Sequence, residues 1–153
     1  MSLEPSTKNS CLCNPHSLNT DDSLNAQYCA TGLAYRTYQE SQNICKAFEK
    51  PFHTDEKLNN TLAVVACIGT ATDMVNVLDT NSNNRQILKD GCKLIDNADE
   101  KNLDFVIGNV LARNGIGEIA TAHQVAFNVG AFLNSASRMS ELSNSNGSQE
   151  MYD

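Results

Sequence analysis

The sequence predicts an all-α, single-domain bundle of about five helices with flexible tails at both ends, and three observations carry that expectation. From Leu58 to Leu78 the chain runs almost without charge and shows no clean polar face. A helix that is apolar nearly all round has to be surrounded by other segments. A second stretch of this character runs from Ile116 to Leu142, and no segment shows the strict apolar–polar alternation of a half-buried strand.

The chain has 153 residues, with Ser-, Asn- and Pro-rich ends at 1–20 and 143–153. These read as tails around one helical domain over 21–142. Segment one, from about Asp22 to Glu49, opens with Asp21 and Asp22 near the positive helix end and stops before Pro51. Leu24, Tyr28, Tyr35, Tyr38, Cys45 and Phe48 fall near one of its faces, and Thr31-Gly32 is a candidate break. Segment two opens with Thr54-Asp55-Glu56, a good N-terminal signal. Its stripes Leu58/Leu62/Val65/Ile68 and Val64/Cys67/Ala71/Met74 call for two neighbours.

The clearest loop is Asn81-Ser82-Asn83-Asn84, where Ser82 or Asn83 can cap segment three, Arg85 to Asp96. Segment four begins near Asp99-Glu100, carries Leu103, Val106, Ile107, Val110 and Leu111, and ends at Asn114-Gly115, where Gly can take the left-handed cap conformation. Segment five runs from about Gly117 to Leu142. Its Ala122, Val125, Val129, Phe132, Ala136 and Met139 step three and four apart, the spacing of a coiled-coil-like seam. Segment two is expected at the centre, with segment five against it.

Charge narrows the partners. Eighteen acids against 11 bases give a formal charge of −7, and the bases are scattered singly. Phosphate neutralisation needs clustered Lys and Arg, so no nucleic-acid partner is expected. Leu62–Leu78 approaches membrane-helix length but contains Thr70, Thr72, Asp73 and Asn76, and a central Asp costs about 2.5–3.5 kcal/mol to insert. No membrane span is expected. Met1–Asn14 has Lys8 without an apolar run behind it, unlike a secretory leader.

Six cysteines raise the question of a disulfide framework. On one continuous helix Cys29 and Cys45 would stand roughly 24 Å apart at 1.5 Å per residue, too far to bridge. Together with Cys67 and Cys92 they read as small core residues of a cytoplasmic, reducing environment. Asn59 and Asn146 match the glycosylation triplet, which carries little in that setting.

Candidate chemistry is sparse. His123 lies among Ile119, Ala120, Ala126 and Phe127, a setting in which histidine can ligate haem or a metal, or serve as a base; the plainer reading is a partly buried histidine bonded to a carbonyl. Cys11-x-Cys13-x-x-His16 could begin a zinc site, with His53 or Cys29 to complete it, but lacks a second ligand pair. No metal or cofactor is therefore expected. Gly115-Ile116-Gly117 superficially resembles a phosphate turn, yet it follows no strand and Glu118 would repel phosphate. Asp73, mid-run in the most apolar helix, could be a buried acid with a raised pKa. More often such an acid reaches a helix end, a hydroxyl such as Thr70, or solvent at the rim of the bundle. The small residues Ala122, Ala126, Gly130 and Asn134 could line an oligomer seam, or pack within the chain against Ala66, Gly69 and Ala71.

Length, helix order and the Leu103-Asp104-Phe105 block loosely resemble the second half of a globin. That resemblance implies a globin-like helical arrangement, with Cys92 where the proximal histidine belongs and no distal histidine near the start of segment two. The Ala/Gly/Asn/Gln texture of segments one and five is similar to the self-assembling helical proteins of bacterial R-bodies, a likeness of composition without a motif.

The expected function is non-catalytic: a helical protein–protein interaction or self-assembling module, its interface on Ala122, Ala126, Gly130 and Asn134. The competing expectation is a small-molecule or cofactor-binding bundle whose cavity is lined by His123, Cys92, Cys67 and Asp73.

Overall fold

The structure, a computed structural model, describes residues 28–52, 55–75, 83–97, 103–116 and 120–143. Among these every regular element is helical, and there is no strand. The expected tails, the Cys11/Cys13/His16 cluster, His53, Asn146 and the Asp99-Glu100 start lie outside the described residues.

Helix α1 (Ala30–Ala47) starts at Cys29, whose Sγ accepts from the Gly32 amide at 3.3 Å. The continuous helix expected from Asp22 is thus corrected to one beginning beside the Thr31-Gly32 break. Helix α2 (Glu56–Thr72) is capped by the Asp55 carboxylate, which accepts from the Lys57 amide at 3.1 Å. It stops at Thr72 rather than running to Leu78, because Asp73 takes the C-cap position and Met74 turns the chain with φ 50°. Helix α3 (Asn84–Asp96) keeps its expected bounds to one residue. Asn83 precedes it, and its side-chain amide donates to the Tyr28 hydroxyl at 2.6 Å instead of capping.

Helix α4 (Phe105–Arg113) is capped by Asp104, which accepts from the Val106 amide at 2.9 Å. It ends as expected at Gly115, φ 67°. The Gly115 amide donates to Ala112 O and the Ile116 amide to Leu111 O, each at 3.2 Å, so two carbonyls left over at the helix end are satisfied while Ile116 is buried. The last helix opens as α5 (Ala122–Gln124) on a capping box: Thr121 Oγ1 accepts from the Gln124 amide while Gln124 Oε1 accepts from the Thr121 amide. It passes through a π-helical segment, Val125–Gly130, and continues as α6 (Ala131–Ser143). Nothing in the apolar spacing of this segment signals the π turn.

Helix α2 is the centre, touching α1, α3, α5 and the π segment. Antiparallel pairing with α1 is fixed at both ends. Gly69 lies directly against Thr31, and Tyr38 Oη donates to Asn59 Oδ1 at 2.6 Å. With α3 the pairing is also antiparallel: Gly91 sits against Cys67, and the Cys67 thiol donates to Leu88 O at 3.7 Å. The last helix crosses where Gly130 meets Thr72. The aliphatic core gathers Val64, Ile68 and Ala71 of α2 with Ile95, Leu103, Val110, Leu111, Ile116, Ala120, Val125 and Val129. Two bonds pin its rim: the Asp104 amide to Thr61 Oγ1 at 3.0 Å, and the Ala120 amide to the Asp96 carboxylate.

Candidate functional site

Of the four residues expected to line a ligand cavity, the structure brings two together. Cys67 on α2 is fully buried and Cys92 on α3 is half-buried. The Gly91 backbone packs against Cys67 Cβ and Sγ, which carries the next residue, Cys92, to the Cys67 sulfur. The Cys67 sulfur, donating to Leu88 O at 3.7 Å, lies beside the turn of α3 that carries Cys92. The interaction with Cys92, and then burial, push the Cys67 thiol far above the ordinary thiol range. The interaction with Cys67 lowers the Cys92 thiol, against opposing effects from burial and the Asp96 carboxylate one turn on. Cys92 is thus the more readily ionised of the two sulfurs, and the thiolate is the nucleophilic form. No other pair of the expected quartet behaves so.

Asp73 is exposed at the end of α2. The expected mid-helix acid is therefore corrected, since α2 stops one residue before it. His123 is exposed on α5 and stacks on Phe127, ring centroids 4.4 Å apart and planes 27° from parallel. Among the described residues two clefts lie elsewhere. One, about 210 Å³, lies between Glu56, Asn60, Leu94, Asn97 and Leu103. The other, about 120 Å³, lies between α1 and α3, lined by Tyr35, Arg36, Gln39, Gln86 and Asp90 among others. Burial and the nearby Asp90 raise the Tyr35 phenol. Both clefts fall short of the roughly 300–1,000 Å³ of drug-sized ligand pockets. Among the described residues no three His, Cys, Asp or Glu side chains group to hold a metal. No helix of the described residues is long and apolar enough to cross a membrane.

The expected interface residues divide between the two sides of the last helix. Gly130 is buried against Thr72 of the same chain, Ala122 and Ala126 are half-buried, and Asn134 is exposed. What the sequence did not single out is Phe127, 59% exposed; Met139, expected on the seam with Val125 and Val129, is 65% exposed. The inward side of this helix is already filled by Val125 and Val129, both at 0%. His123, Phe127, Ala131 and Asn134 follow at three- or four-residue steps and are all exposed. The available signal was the absence of any Asp, Glu, Lys or Arg between Glu118 and Arg138: more uncharged surface than one buried stripe requires. Asn59, in the glycosylation triplet, accepts from Tyr38 Oη at 2.6 Å and Gln42 Nε2 at 3.0 Å, and so serves to join α1 to α2. The chain matches no known family model, no curated protein and no solved structure.

Proposed function

We propose that this protein is a non-catalytic helical module of a reducing, cytoplasmic setting that associates with a second copy of itself through the outer face of its last helix. The observation that carries the reading is Phe127, 59% exposed and stacked on His123 within a run free of formal charge. Two chains of formal charge −7 repel over most of their surfaces. The face between Glu118 and Arg138 is where two copies can meet without opposing carboxylates. A two-fold contact places the same patch on both sides, so each Phe127 would cover apolar surface of its partner. Free cysteines at 29, 45, 67 and 92 suit a reducing environment.

The test is native mass spectrometry and light scattering of the reduced full chain beside Phe127→Asp. The wild type should give an integer multiple of 16.7 kDa. Burial of a Phe contributes about 1.5–3 kcal/mol per side chain, so the variant should associate at least tenfold more weakly. A wild-type chain that stays monomeric at concentrations of tens of micromolar overturns the reading, as does a monomer retaining added noncovalent mass.

A further inference from the structure

We propose that Cys67 and Cys92 form a peroxide-oxidisable dithiol, in which Cys92 is attacked first and Cys67 closes a disulfide that joins α2 to α3. The geometry rests on the closest approach of these helices. Gly91, without a side chain, lets the α3 backbone lie on Cys67 Cβ and Sγ, and the same sulfur reaches Leu88 O, the carbonyl one turn before Cys92, at 3.7 Å. The accessibilities assign the order. Cys92 is half-buried and reachable by a small hydroperoxide, whereas Cys67 has no exposed surface and meets the oxidant only through Cys92. The opposite shifts of the two thiols, Cys67 raised and Cys92 lowered, favour the same order. Cys29 is otherwise engaged: its sulfur accepts from the Gly32 amide and contacts the Thr31 and Thr70 hydroxyls at 3.1 and 3.5 Å.

In the first step the Cys92 thiolate attacks one peroxide oxygen and the O–O bond breaks. Cys92 becomes a sulfenic acid, and the departing hydroxide takes a proton to leave as water. In the second, the Cys67 sulfur attacks the sulfenic sulfur. The S–O bond breaks, the S–S bond forms, and the Cys67 proton leaves with the hydroxyl as a second water. Two electrons pass from the sulfur pair to the peroxide, and a thiol reductant reverses the change.

The full chain, reduced and then titrated with hydrogen peroxide, is blocked with iodoacetamide and mapped by mass spectrometry without reduction. The expected product is a peptide pair joined through Cys67 and Cys92 that dithiothreitol separates. In Cys67→Ala, checked for unchanged helix content by circular dichroism, Cys92 has no resolving partner, and its labelling by a sulfenic-acid probe should rise several-fold. In Cys92→Ser, Cys67 should stay reduced. Conversion of wild-type Cys92 to sulfinic acid while Cys67 remains free would overturn the proposal. So would a pair left reduced at peroxide levels that oxidise Cys45. Neither readout depends on the oligomeric state.

Discussion

Two sides of α2 hold their neighbours by opposite means. Toward α1 and α3 it offers Ala63, Ala66, Cys67, Gly69 and Thr70, and the backbones come close enough that Thr31 lies on Gly69 and Cys67 lies on Gly91. Toward the aliphatic core it offers Val64, Ile68 and Ala71, which interlock with Leu103, Val110, Val125 and Val129. The first side is sensitive to atoms added and the second to atoms removed. Interiors pack near crystal density, so both errors weaken the fold, but by different routes.

The largest effect should come from the aliphatic side. Leu103 is 2% exposed, and Leu103→Ala should lower unfolding free energy by about 3 kcal/mol through lost burial and a residual cavity. Urea denaturation should show a lower midpoint with an unchanged slope. Next comes the close crossing. Gly91→Ala drives a methyl into Cys67 Cβ and should cost about 2 kcal/mol. Because the clash is with Cβ rather than the sulfur alone, adding Cys67→Ala should not restore stability. Full rescue in that double variant would break the distinction between the two sides.

The smallest effect has the opposite sign. Gly108 sits inside α4 with open space where a Cβ would project. Gly108→Ala should therefore stabilise by roughly 0.5–1 kcal/mol, seen as a raised thermal midpoint. Loss of stability there would show that glycine's role in α4 is also one of close packing.

The same division explains what could be read from the residues. The all-α class, the Asp55 start of α2, the span of α3 and the left-handed Gly115 were legible, since each follows from local capping or from apolar spacing. The end of α2 was not: Thr72-Asp73 is a polar pair that reads equally as a buried acid within a helix or as its cap. The start of α1 escaped because a cysteine, outside the usual Ser, Thr, Asp and Asn, caps it. Cys67 and Cys92 were singled out, but helix spacing within one segment says nothing of contacts across a loop; Gly91 beside Cys92 was the only local hint. Phe127 was counted as an apolar neighbour of His123. It faces out because it stands two residues from both Val125 and Val129, which face in, and at about 100° per residue that is the opposite side.

That π segment also sets how the chain tolerates a change in length. Its i→i+5 bonds hold an additional residue within one turn, while Val125 and Val129 keep their inward places and the capping box ahead of it stays intact. A residue lost between Val125 and Gly130 can be taken up there by a switch from the π to the α turn. In α2 no such slack exists. One residue gained or lost would rotate everything beyond it by about 100°, turning Cys67, Gly69 and Thr72 away from Gly91, Thr31 and Gly130 together.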